Sequence, residues 1–347
     1  DPPVPNGTFP LVSNWAYPYG GSGLTGRELF GTSAGTRKLR VLFTPDVIDG
    51  PTDPDLDALL GLVQEEQVEV LVLDRQLGDA GTATEVGFTP EGDLPGEGAV
   101  VWGPHQAAIN ASESIRLWEA RAKYYYRELS EPDAQVRVRQ DVIDAHLGAA
   151  AEADIIVTRS PFLLAFPDGR PHGLPQLDPS SALAIVGLFL RQQDRYLIRP
   201  DPRKALVVVA DRANFFEAAA RSLLPNLDSW LASLAELPST AQGDAAWLGE
   251  SFERRVGRLL AARDDLLAAL LVRQDPNTAY RALEHFETLL TNLKSLFDVT
   301  ALVADLLVGG LAKGRMGIAW QRADWRRKMF VRHPELETIL DDTTLPL

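Results

Sequence analysis

"QDVIDAHLGAAAEADIIVTRSPFLL" occupies residues 140–164. Two aspartates, Asp141 and Asp144, stand at the head of an alanine-rich helical run. The run leads into a short apolar strand, Ile155-Ile156-Val157, and then into Thr158-Arg159-Ser160. A helix feeding directly into a buried strand is half of a βαβ unit, and the strand end is where a parallel sheet gathers its chemistry. Asp141 and Asp144 are three residues apart and so share one helix face.

The same pattern recurs upstream. Residues 40–43 (RVLF) read as a strand, and a Pro-, Asp- and Gly-rich loop follows. Asp53-Pro54 then reads as an N-cap and first helical position. Leu56, Leu59, Leu60 and Val63 follow at helical spacing, and residues 68–73 form a second apolar strand. Strand, helix and strand with short links predict a parallel sheet. Residues 78–98 read as an insertion loop, 100–102 as a short strand and 107–129 as a helix. The alternation of Val136 and Val138 with Arg137 and Arg139 reads as an edge strand. Asp178-Pro179 caps a further helix. Residues 206–210 read as a last strand or the first turn of a helix.

Beyond residue 213 the pattern is helical. Phe252, Val256, Leu259, Leu260, Leu267, Leu270 and Leu271 form one stripe, and Leu283, Phe286, Leu289, Leu290, Leu293 and Phe297 form another. Two long amphipathic helices predict an antiparallel bundle, and Gly309-Gly310 is expected to end the second. Residues 1–36 mix Pro2, Pro3, Pro5, Pro10 and Pro18 with glycines that include Gly20, Gly21, Gly23 and Gly26, and read as an irregular arm pinned by Trp15, Tyr17 and Tyr19. The expected organisation is an arm at 1–36, a Rossmann-like or PIN-like α/β domain at 37–200 and an all-helical bundle at 201–347.

The chain has 347 residues, no cysteine and a net charge of −14. Absent cysteine removes disulfides, thiolate zinc sites and cysteine nucleophiles together, and it favours a reducing, cytoplasmic setting. No basic-then-apolar leader is recognised at the first residues. The apolar stretch 296–311 is short and broken by Asp298 and Asp305, so no membrane span is expected. Charge is uneven. Residues 41–97 hold fourteen acids against Arg75, whereas residues 311–333 hold seven bases against Asp324. Binding to nucleic acid would therefore need the basic end, or a metal, to overcome the acidic half.

At the strand ends the candidate acids are Asp46 and Asp49 after the first strand, with Asp141 and Asp144 on the helix before the Ile155 strand. Carboxylates gathered there suit Mg²⁺ or Mn²⁺, which activate water and neutralise a phosphodiester. Residues 141–164 resemble the third-aspartate helix and following strand of PIN-domain nucleases. In that resemblance Asp141 or Asp144 matches the helix aspartate and Thr158 the family's threonine. Residues 41–50 match its first strand and aspartate, although Thr44 and Pro45 precede Asp46 here. Ser160 stands at the last acidic position, and Glu113, Glu119 and Glu128 compete for the mid-chain acid. The resemblance implies metal-dependent RNA cleavage, or a site that has lost it.

Elsewhere, the five histidines form no ligand pair at metal spacing, and no nucleophile elbow or P-loop occurs. "KGRMGIAWQRADWRRK" (residues 313–328) interleaves Trp320 and Trp325 with Arg322, Arg326, Arg327 and Lys328. Arginines with stacking aromatics can hold single-stranded RNA or DNA. The alternative is an amphipathic helix whose tryptophans pack inward while its cations stay wet. Three classes of function stay open: a PIN-like domain acting on or binding nucleic acid, a non-catalytic scaffold whose helices form an oligomer or partner interface, and a small-molecule sensor using the sheet crevice.

Overall fold

The structure is a computed structural model, and it describes residues 37–51, 53–73, 83–91, 94–165, 174–198, 208–237, 239–271, 276–308, 310 and 317–341. The expected arm at 1–36 lies outside these residues, as do Lys313 and Arg315. The chain divides into two compact units: Asp1–Val208 with Ala268–Thr278, and Val209–Leu267 with Ala279–Leu347. No described helix is long and apolar enough to cross a membrane.

Unit 1 is built on a seven-stranded sheet. Its strands are β1 (Leu39–Phe43), β2 (Val68–Leu73), β3 (Thr84–Pro90), β4 (Glu97–Trp102), β5 (His105–Asn110), β6 (Ile155–Val157) and β7 (Gln176–Leu177). The order is β5-β4-β3-β2-β1-β6-β7. The pairs from β3 through β2, β1 and β6 to β7 are parallel, and β3–β4 and β4–β5 are antiparallel. The chain order runs outward in opposite directions from β1 and β6, which makes the boundary between these two strands the topological switch point. The β4–β5 turn has Gly103 at φ +52°, a conformation open to glycine and strained for most other residues.

Helices cover both faces. α1 (Pro45–Ile48) and α2 (Pro54–Leu62) follow β1, and α3 (Ser112–Glu119), α4 (Ala122–Tyr125) and α5 (Glu131–Ala150) follow β5. α6 (Pro161–Leu164) follows β6 and α7 (Pro179–Gln192) follows β7. α5 lies against Leu42 and Ile156, so closely that a Cβ at Gly148 would stand 2.9 Å from each. Leu71, Leu73, Val86, Val138, Val142 and Phe162 complete this side of the core. Side chains of opposite strand parity, such as Val41, Phe43, Ile155 and Val157, are equally buried on the other face. The caps read from sequence are present: Asp53 accepts from the Leu56 amide at 2.8 Å and Asp178 from the Ser181 amide at 2.9 Å.

Several local readings are corrected. Residues 136–139 belong to α5, not to an edge strand. The helix begins ten residues before Asp141, because Ser130 caps it and Pro132 stands in its first turn. Four alternating residues cannot outweigh that start signal. Residues 107–110 lie in β5, and 84–90 form β3 where an insertion loop was expected. The β4–β5 pairing decides the first case, overriding the helical propensity of Ala107 and Ala108. Residues 78–82 of the expected loop lie outside the described set.

Two short strands, β8 (Tyr196–Ile198) and β9 (Val208–Ala210), precede the helices of unit 2. These are α8 (Arg212–Leu223), α9 (Leu227–Ala235), α10 (Ser239–Leu271), α11 (Pro276–Leu307), α12 (Ala323–Arg332) and α13 (Pro334–Asp341). Ala245 and Leu248 of α10 meet Val299 and Val303 of α11, together with Leu234 of α9, so α10 and α11 run antiparallel. Gly310, at φ +76°, donates to the Asp305 carbonyl just beyond the end of α11. One expectation is reversed. Leu283, Phe286, Leu290, Leu293 and Phe297 are exposed. The buried stripe runs one residue out of phase, through Leu296, Val299 and Val303, with Leu289 half-buried.

Candidate functional site

The switch point is held by the ends of β1 and β6. Phe43 is in register with Val157. Just beyond, the Thr44 amide donates to the Val157 carbonyl at 3.1 Å, and the Thr44 hydroxyl oxygen lies 3.0 Å from the same carbonyl. This brings α1, with Asp46 in its first turn, beside Thr158 and Arg159. The Arg159 amide donates to Asp46 Oδ2 at 2.9 Å, Thr44 donates its hydroxyl to Asp46 Oδ1, and Thr158 Oγ1 lies 3.3 Å from Oδ2. The Arg159 side chain reaches Asp53 at 2.7 Å. It passes so close to Gly50 that a Cβ there would come within 2.6 Å of its Nη1.

α5 supplies the opposite wall. Asp141 and Asp144 lie mid-helix and are buried, at 1% and 4% exposure. Asp141 Oδ2 accepts from Ser160 Oγ at 2.9 Å and from the Tyr126 hydroxyl. Tyr126 Oη and Ser160 Oγ are 2.9 Å apart. Gln140 donates to Asp144 Oδ1 at 2.7 Å. Arg137, one helical turn before Asp141, links the walls: it stands 3.5 Å from Asp46 Oδ2 and 3.6 Å from Asp141 Oδ1.

Burial dominates the protonation chemistry. Desolvation pushes Asp141 up to about 6, opposed by Arg137 and by the Tyr126 and Ser160 hydrogen bonds. Asp144 rises further, to about 7, again through desolvation, with Gln140 opposing. Burial and the adjacent Asp141 carboxylate raise the Tyr126 hydroxyl above its ordinary range. Burial lowers His146 to about 4, which leaves it neutral at pH 7.

Of the acids expected to share a cation, Asp46 and Asp141 meet through Arg137, and Asp144 stands one turn further along α5. Asp49 is exposed at the C-cap of α1. Asp144 is buried, with its side chain turned into the core. Ser160 stands where an acid was sought, as the N-cap of α6 and the partner of Asp141. Among the competing glutamates, Glu119 pairs with Arg139 at 2.6 Å, while Glu113 and Glu128 are exposed. Sequence reading missed Arg137 and Tyr126. The i,i+4 spacing of Arg137 to Asp141 was the available signal once α5 was extended back to its cap.

The donor set does not fit a metal as it stands. Both oxygens of Asp46 and the inner oxygen of Asp141 accept hydrogen bonds, and the remaining Asp141 oxygen faces a guanidinium. Among the described residues, no group of three or more His, Asp or Glu side chains could hold a metal ion. In unit 2, Trp325 is not available for base stacking. It is 3% exposed, packs with Ala301 and Met329, and donates to Asp305 Oδ1 at 2.7 Å. Trp320 meets it edge-to-face at 5.0 Å. Arg322, Arg326, Arg327 and Lys328 are exposed. An apolar cavity of about 440 Å³ lies in unit 2, lined by Leu227, Trp230, Phe252 and Val303 among others.

Compared with known proteins, the chain matches no family model, no curated protein and no solved structure.

Proposed function

We propose that unit 1 is a PIN-like domain with a charge-compensated acid site, and that the protein binds single-stranded nucleic acid without cleaving it. One observation carries this reading: Arg137 stands between Asp46 and Asp141, where a nuclease of this type would seat its cation. The guanidinium keeps its charge at all ordinary pH and offsets one of the pair's two negative charges, and it offers neither a Lewis-acid site nor a bound water. Binding then falls to the exposed cations of α12, which can neutralise phosphates whatever the base sequence. Wild-type protein with Mg²⁺ or Mn²⁺ is expected to leave single-stranded RNA and DNA intact. It is expected to bind labelled strands with an affinity that falls steeply with salt. Arg326→Ala combined with Arg327→Ala should flatten that slope, read by fluorescence anisotropy at several salt concentrations. Salt-insensitive or absent binding would overturn the reading.

Metal-dependent cleavage is the second reading, and one observation favours it. Arg137 is about one-third exposed, and its contacts of 3.5 and 3.6 Å are longer than a tight charge-assisted bond, typically about 2.7–2.9 Å. A Mg²⁺ ion can manage with only one or two carboxylates. If this reading holds, Asp46 and Asp141 would hold a cation that displaces Arg137. Cleavage would then require Mn²⁺ or Mg²⁺ and vanish in Asp141→Asn.

A further inference from the structure

α11 carries two apolar stripes, and unit 2 covers one of them. The inner stripe, Leu296, Val299 and Val303, is at most 8% exposed, and Val299 and Val303 pack against α9 and α10. The outer stripe is Leu283, Phe286, Leu290, Leu293 and Phe297, with exposures of 53, 45, 45, 37 and 47%. Its spacing is three, four, three, four. That is the heptad rhythm of a helix that buries a seam against another helix. Isolated exposed leucines call for no explanation, but five large apolar side chains in one line over four turns do.

The flanks of the stripe identify the occupant. On one side stand Glu287 and Lys294, seven residues apart, both exposed. On the other side stand Leu289, half-buried, and Leu296, buried. A parallel pair of these helices would set the charged flank against the partner's apolar one. An antiparallel pair sets charged flank against charged flank. With Leu290 opposite the second copy's Leu293, and Phe286 opposite its Phe297, Glu287 of each copy meets Lys294 of the other. The charge pattern is therefore self-complementary under a two-fold axis, as an isologous interface requires.

We infer that α11 is the dimerisation helix of this protein, pairing antiparallel with α11 of a second copy through Leu283, Phe286, Leu290, Leu293 and Phe297. This inference is independent of the acid site and of nucleic-acid binding. The seam is short, so the dimer is expected to be reversible and concentration-dependent.

Sedimentation velocity across a hundredfold range of full-chain concentration tests it. Wild-type protein should pass from monomer to dimer. Leu290→Glu should weaken association by at least about tenfold, or about 1.4 kcal/mol, while the circular dichroism spectrum and melting curve stay those of the wild type. Glu287→Lys and Lys294→Glu should each weaken it by setting like charges together. Mixing those two single variants should restore a dimer, because each copy then offers what the other lacks. A wild-type monomer throughout the range would overturn the inference. So would a dimer indifferent to all of these substitutions, or one whose charge variants fail to complement when mixed.

Discussion

Helix α5 carries Asp141 and Asp144 on its buried face, whereas α11 carries Leu283, Phe286, Leu290, Leu293 and Phe297 on its exposed one. Each departs from the pattern that folds an amphipathic helix, and in opposite senses. In α5 the departure is compensated locally. Asp141 and Asp144 take their polar contacts from within unit 1: Arg137, Gln140, Tyr126 and Ser160. In α11 the outer stripe is left exposed among the described residues, because the inner stripe occupies the packing surface. Buried charge thus marks a site finished within its own domain, and exposed apolar surface marks one that needs a second molecule. Three measurements can break or sharpen this contrast.

The largest expected effect is that of pH on α5. Asp144 titrates at about 7 in the folded chain because burial disfavours its charge. In the unfolded chain it titrates near 4. Between these values the folded state binds more protons, so stability falls as pH rises through the window. The three-unit gap corresponds to a loss of up to about 4 kcal/mol. Asp144→Asn keeps an oxygen for Gln140 and removes the charge. It should match the wild type at pH 4 and exceed it above pH 7, as read by urea unfolding at a series of pH values. A mutant with an unchanged pH slope would mean that Asp144 is solvated in solution, and the buried-charge half of the contrast would fail.

Removing the counter-ion comes next. Arg137→Ala leaves Asp46 and Asp141 without their shared cation. Breaking a buried pair costs roughly 3–5 kcal/mol, and the one-third exposure of Arg137 lowers the expectation to about 2–3. Because Asp141 protonates at about 6, the loss should be full at pH 8 and much reduced at pH 5. A loss independent of pH would assign Arg137 a packing role instead. Mn²⁺ binding acquired by this variant, read by calorimetry, would show that the arginine does occupy a cation seat.

Much of the fold was legible because its signals are local. The caps at Asp53 and Asp178 and the helix-to-strand passage of residues 140–164 follow from short-range chemistry, and the observed elements agree. The parallel sheet followed from those elements. What misled the reading was non-local. Val136, Arg137, Val138 and Arg139 alternate like a strand, but the Ser130 cap and the contact of Val138 and Val142 with the sheet make them helix. Ala107 and Ala108 favour helix, yet pairing with β4 makes them strand. The site was half legible: Asp46 and Asp141 were named, but Arg137 was read as part of a strand and Tyr126 fell within the helix expected over 107–129. No single-sequence pattern states that a tyrosine fifteen residues away will donate to Asp141. In α11 both stripes are apolar at helical spacing, so periodicity alone could not say which one faces inward.

That ambiguity leads to the smallest expected effect. If the outer stripe is idle within the monomer, Leu290→Ser should change monomer stability by no more than about 0.5 kcal/mol, as for ordinary surface sites. Leu296→Ala, on the inner stripe and 8% exposed, should cost about 2–3 kcal/mol through lost burial and the cavity left behind. The two leucines lie six residues apart on one helix, so propensity and composition are nearly shared and only the face differs. Chemical unfolding at a protein concentration low enough to keep the chain monomeric isolates that difference. Equal losses at both positions would mean that the outer stripe is covered from within the chain, which would remove the need for a second copy. A near-zero value for Leu290 beside a large one for Leu296 would leave association as the property that accounts for the outer stripe.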